Sequence, residues 1–116
     1  MVSGLGRAGE DAACRMLRRH GYKILQRNFS CRFGEVDIIA LKSKTLVFVE
    51  VKTRSGGALD CPAAFVDYHK QKRIIKTAEV FLAYNDIDAD VRFDVIEVIK
   101  DGRKFILHQI ENAFCL

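Results

Sequence analysis

The stretch LVFVEVKTR, residues 46–54, is an apolar strand that turns charged at its far end, where Glu50 and Lys52 stand two apart and so on one face. Upstream, GEVDIIAL (34–41) also reads as a strand and carries Glu35 and Asp37. If the two segments form a hairpin with residues 42–45 as its loop, Leu41 faces Leu46, Asp37 falls opposite Glu50, and Glu35 falls opposite Lys52. One face of the pair then carries Val36, Ile38, Ala40, Val47, Val49 and Val51 as core. On the other face Ile39, Leu41, Leu46 and Phe48 lie near the turn, and the charges cluster at the far end.

Opposed side chains on paired strands have β-carbons about 4.5–5.5 Å apart, and two ionised carboxylates at that distance repel. A divalent cation resolves the conflict, since it takes oxygen ligands from one or two carboxylates and fills its other positions with water and phosphate. Lys52 would then stand within reach of an attacking water or the phosphate, where an ammonium orients the nucleophile and stabilises charge developing at phosphorus. The residue types point to metal-assisted hydrolysis of a phosphodiester. The alternative for the same residues is an ordinary cross-strand ion pair between Glu35 and Lys52. Register decides, because a loop of odd length would put Asp37 and Glu50 on opposite faces.

The elements that must hold these residues are legible in outline. Leu5, Ala12, Ala13, Met16 and Leu17 recur at helical spacing, with Gly21 as the stop. On that helix Glu10 falls at the edge of the apolar arc, between Leu17 and Cys14, so it can point along the sheet face or serve only as an acid near a helix N-terminus. Strands follow at 22–28, 34–41 and 45–53, then a loop at 55–62 holding two glycines and the only proline. A second helix from about residue 64 to 84, a strand at 91–99, a type I′ turn at Asp101-Gly102 and a last strand at 104–110 complete the chain. The second helix is a crossover between the third and fourth strands, which predicts an α/β mixed sheet of about five strands in the order α-β-β-β-α-β-β. Its apolar arc holds Tyr68, Ile74, Ile75, Ala78, Phe81 and Leu82. Its outer arc, with His69, Lys70, Lys72, Arg73 and Lys76, is either a solvated face or a phosphate contact, with Gln71 a candidate extra ligand near the site.

The chain has 116 residues, 49% of them hydrophobic, which suits one core and a single domain over 1–116. Its 19 Lys and Arg exceed its 15 Asp and Glu. With Glu10, Glu35, Asp37 and Glu50 assigned to one site, only 11 acids remain elsewhere, an acidic focus in a basic field of the kind that suits a metal ion working on a phosphate backbone. Cys14, Cys31, Cys61 and Cys115 form no CxxC pair and no zinc spacing, and read as reduced core thiols of a cytoplasmic protein. No stretch approaches the roughly 18 apolar residues of a membrane span, so no membrane partner is expected. GLGRAG (4–9) spells GxGxxG, but no strand can precede it, and the dinucleotide fingerprint is rejected.

A strand acid, a hairpin and then EVK resemble the D…(D/E)xK core of the PD-(D/E)XK nuclease superfamily, which includes restriction enzymes and Holliday-junction resolvases. The chain is more closely similar to the small YraN-type (UPF0102) family of predicted endonucleases, through GRAGEDAA, HGYKILQRN, GEVDIIA, LVFVEVKTR, KQKRI, RFDVIEV and the closing NAF. The resemblance implies a restriction-endonuclease-like fold, with Asp37 and Glu50 as metal-binding acids, Lys52 as the catalytic lysine and Glu10 as an acid added from the first helix. Glu35 and Gln71 would support these residues, and Arg54, Lys70, Lys72, Arg73 and Lys76 would contact nucleic acid. It further implies an Mg²⁺- or Mn²⁺-dependent endonuclease that hydrolyses DNA, with a preference for branched or otherwise non-duplex structure, acting as a homodimer. The sequence departs from the superfamily at Val36, where proline would precede the aspartate, and from the family at Ser30, often a basic position. Asp94 in RFDVI matches a family position without an assigned role. The rival reading is a module of nuclease-like fold that binds nucleic acid without cutting it.

Overall fold

The computed structural model describes residues 4–55 and 66–115. The elements are α1 (Gly4–Arg19), β1 (Lys23–Cys31), β2 (Gly34–Lys42), β3 (Thr45–Ser55), α2 (Tyr68–Tyr84), β4 (Asp90–Asp101) and β5 (Lys104–Phe114), in the predicted order. The five strands form one mixed sheet in chain order, antiparallel throughout except for the parallel pair β3 and β4 that α2 connects. A parallel neighbour cannot be reached by a tight turn, which is why a helix stands there.

Each helix covers one face of the sheet. Ala13, Cys14, Met16 and Leu17 of α1 pack on Ile38, Ala40, Val47, Val49, Ile96 and Val98. Ile74, Ala78 and Phe81 of α2 pack on Ile39, Leu46, Phe48, Phe93 and Val95. Gly21 ends α1 as anticipated: it takes φ +89°, its N–H reaches Arg18 O at 3.1 Å and that of Tyr22 reaches Leu17 O at 2.9 Å, the paired bonds of a Schellman motif. Near the start of α1, a β-carbon on Gly9 would stand 2.1 Å from Thr53 Oγ1, so only glycine lets the helix lie this close to β3. The next residue, Glu10, is buried as a result.

The hairpin of β2 and β3 has the expected register, from Lys42 opposite Thr45 to Ile38 opposite Val49, closed by a Ser43-Lys44 turn with Ser43 at φ 53°. The pairing stops there, so the expected oppositions of Asp37 with Glu50 and of Glu35 with Lys52 are not ladder pairs. Val36 is a second departure, for it joins the α2-side cluster rather than the face of Ile38 and Ala40. Beyond Ile38, β2 keeps only β1 as a partner, and a two-stranded ribbon twists more strongly than the middle of a sheet.

Other boundaries move for local reasons. β1 continues past residue 28 because Phe29, Ser30 and Cys31 pair with Val36, Glu35 and Gly34, leaving Arg32-Phe33 as the turn. The last hairpin turns at Gly102-Arg103, since Asp101 pairs with Lys104. Only the first of its central residues, Gly102 at φ 62°, is left-handed, which fits a glycine-first type II′ turn and not the expected type I′. α2 starts at Tyr68, capped by Asp67, whose carboxylate accepts the N–H of Lys70 at 2.9 Å. Tyr68 is therefore 63% exposed instead of joining the apolar arc. Of the described cysteines only Cys14 is core, its thiol pushed up by burial, while Cys31 is half-buried and Cys115 exposed. Cys61 and most of the expected loop lie outside the described residues.

Asp94, without a role in the sequence, is fully buried and fully satisfied. Its Oδ1 accepts from Arg92 Nε and from the N–H of Asn112, and its Oδ2 from Arg92 Nη2 and Gln109 Nε2, all at 2.9 Å. The same guanidinium donates to Tyr22 Oη at 2.7 Å and ion-pairs with Glu111 at 2.9 Å. The network pins an irregularity where β5, through Asn112 at φ 55°, takes extra residues against β4, and it lets β5 run on to Phe114 rather than end at 110. Asp94→Ala would remove two of Arg92's hydrogen bonds and leave the Gln109 amide and the Asn112 N–H without this acceptor, and urea denaturation is expected to register a loss of about 3–5 kcal/mol.

Candidate active site

Where β2 and β3 part, the backbone of β3 needs a new partner. The N–H of Val51 donates to Asp37 Oδ2 at 2.7 Å, so a side chain stands in for the carbonyl the ladder would have supplied. This turns the Asp37 carboxyl into the fork, toward that of Glu50. A cleft of about 390 Å³ opens there, lined among others by Glu10, Glu35, Asp37, Glu50, Lys52 and Lys70. The two central acids therefore line one cleft, with Asp37 held there by a bond to the β3 backbone rather than by a ladder pair with Glu50.

Burial and the facing Glu50 push the Asp37 carboxyl up to about 8, although the Val51 N–H acts in the opposite direction. Glu50, its side chain 11% exposed, holds Lys70 Nζ at 3.1 Å. Burial works against the Lys70 charge, but the carboxylate prevails and the ammonium is raised. Lys52 shifts the other way, lowered by burial and by the neighbouring Lys70. The two lysines thus differ in character: one is a tight counter-ion, the other a cation in a site that disfavours its charge.

Glu10 reaches the same cleft from α1, but its Oε1 lies 3.5 Å from Arg27 Nη2, a guanidinium that also holds Asp11 at 2.8 Å. Among the described residues no three His, Cys, Asp or Glu side chains converge as a metal cage, so the expected trio of Asp37, Glu50 and Glu10 is present as a pair with a neighbour. Two carboxylates that crowd each other and draw in a lysine fit a divalent cation that completes its shell with water and phosphate. Asp37 and Glu50 would hold it.

The remaining predicted residues divide. Glu35 is exposed at the rim of the cleft. Gln71 does not line it but donates to Val66 O at 2.7 Å, because the helix starts later than expected and its first turn is used to anchor the incoming chain. Arg54 is engaged by Glu97 at 2.6 Å across the parallel pair of strands. Lys72 and Lys76 lie over the rings of Tyr68 and Phe33. Arg73 borders Gly34. The sequence reading missed Lys70 as the partner of Glu50, as well as Thr53 and the Val51 amide. Asp67 was the available signal, since a capping residue there places Lys70 in the first turn of α2.

A mixed five-stranded sheet sandwiched between two helices, with an acid pair and a lysine where a hairpin forks, is the class of protein that this architecture defines. Residues 9–98 match the family described as "Uncharacterised protein family UPF0102", and the chain belongs to that family, the YraN-type family it resembles. UPF0102 proteins of Geobacter metallireducens and Alkaliphilus oremlandii are 49% and 45% identical to it, over 95% and 98% of this chain and 91% and 100% of theirs. One from Caldicellulosiruptor bescii is 46% identical, over 95% of this chain and 96% of its own.

With Asp37 raised to about 8, the native protein keeps a proton that the unfolded chain releases near its ordinary carboxyl value. Metal-free stability should therefore fall as pH rises from about 4 to about 8 and level off above. Asp37→Asn should flatten that slope in urea titrations at pH 5 and 8.5 with a chelator present. Lys70→Gln removes the cation resting on Glu50, and titration with Mn²⁺ followed by electron paramagnetic resonance should find binding about 3- to 5-fold tighter than in the wild type.

Proposed function

We propose that this protein is a divalent-metal-dependent endonuclease that hydrolyses phosphodiester bonds of DNA, with a preference for branched or otherwise non-duplex structure. The observation that carries the reading is the meeting of the Asp37 and Glu50 carboxyls in one cleft with Lys52 beside them, an arrangement that resembles the PD-(D/E)XK site. Bound between the two acids, Mg²⁺ or Mn²⁺ would polarise the scissile phosphate and lower the pKa of a coordinated water. The chain's own part follows from its residues. Asp37 is held by the Val51 amide, so its free oxygen keeps one direction. Lys52, half-buried and with its charge disfavoured, can orient the attacking water and take up charge developing on the phosphate. Lys72, Arg73 and Lys76 continue the positive surface outward along α2 and suit a phosphate backbone.

Purified protein with Mg²⁺ or Mn²⁺ should cut at least one of duplex, single-stranded, flap or four-way-junction DNA. Lys52→Ala and Asp37→Asn should lower the cleavage rate by about 100-fold or more while leaving DNA affinity within a few-fold. Salt-sensitive binding of the whole panel with no cutting in either metal would overturn the enzyme in favour of a binding module. The lysine already seated on Glu50 is the observation that favours that second reading.

A further inference from the structure

Away from the acid cleft, a cavity of about 640 Å³ opens between the β1–β2 turn and the C-terminal half of α2. Its walls are mainly apolar and aromatic, with Phe29, Phe33, Val80 and Tyr84 facing it and Arg32 and Ser30 as its main polar side chains. Tyr84, the last residue of α2, is 84% exposed. A second hollow of about 350 Å³ shares Phe33 and Val80 and adds Lys76 and Glu79. Phe33 itself carries two cations, with the Arg32 guanidinium carbon 4.8 Å and Lys76 Nζ 5.5 Å from its ring centroid. Aromatic rings beside cations, with Glu79 the one acid among the described residues lining either hollow, suit a ligand that combines flat apolar faces with negative charge.

The hollow and the acid cleft both border α2. Lys70 lines that cleft, and Arg73 and Lys76 follow at three-residue steps that wind part-way round α2, so that Lys76, which lies over Phe33, stands about 9 Å further along the helix axis at 1.5 Å per residue. On the sheet side, Glu35 at the cleft rim is two residues from Phe33. A strand whose phosphate occupied the cleft would therefore run along this basic track toward the aromatic hollow.

We propose that the hollow binds one unpaired nucleotide of the DNA strand, its base against Phe33 and Tyr84 and its phosphate beside Arg32. The inference rests on the DNA reading above and supplies a physical cause for a non-duplex preference. Bases stacked inside a duplex cannot enter; an unpaired one can. The volume lies within the range of small-molecule pockets and accommodates a base.

The test is equilibrium binding in chelator, where no cleavage can occur. The protein contains no tryptophan, so a single strand with 2-aminopurine at one position reports stacking directly. Wild type should quench the probe and bind the single strand more tightly than the matching duplex. Tyr84→Ala, at a site too exposed to disturb the fold, and Phe33→Ala should each weaken single-strand binding about 5- to 50-fold and abolish the quench, with duplex binding changed less than 2-fold. Phe33→Trp should restore single-strand affinity. Unchanged single-strand binding in both alanine variants, or equal losses on single strand and duplex, would sink the proposal while leaving the DNA reading intact. Failure of wild type to bind either form would overturn both.

Discussion

A single main-chain donor organises the cleft. The Val51 N–H, left without a carbonyl where β2 and β3 part, is met by the side chain of Asp37. A buried amide without a partner would cost a few kcal/mol, so the strands can diverge only because the carboxylate is there. The divergence makes the cavity, and the hydrogen bond fixes the acid that lines it. Glycine at position 9, which lets α1 lie against Thr53, then brings Glu10 to the same place from the opposite face of the sheet.

The charges in the cleft do not balance in pairs. Asp37 faces a second carboxyl, and Glu50 is shared between that neighbour and Lys70. Such a cluster can be relieved by a proton, by a lysine or by a metal ion, and these compete for the same oxygens. Lys70 enters from the first turn of α2, so the helix that carries the outer basic surface also supplies the counter-ion of the inner acid. A polyanion on that surface and a cation between the acids would draw on the same lysine, which couples the two events.

Asp94 is the instructive contrast. It too is an aspartate in an apolar strand, yet it accepts four hydrogen bonds, two of them from one arginine. That network ties β4 to β5 and, through Tyr22, to the end of α1. The acid at 37 has one donor and a rival carboxyl. One environment builds structure, whereas the other leaves oxygens available for chemistry.

EVDII and RFDVI look alike as text, and nothing local separates the two aspartates. What the amino-acid sequence determined by itself was whatever depends on periodicity and short range: the alternation that sets the register of β2 on β3, the amphipathic arcs of both helices, the glycine stop after α1, and the gathering of Glu35, Asp37, Glu50 and Lys52 at one end of a hairpin. The tertiary structure alone decided where the ladder breaks, on which side Val36 falls, that Lys70 rests on Glu50 while Gln71 and Arg54 turn to Val66 and Glu97, and that Glu10 is drawn toward Arg27. These outcomes depend on the distance of approach between elements far apart in the chain, and that distance is set by packing, to which no residue spacing gives access.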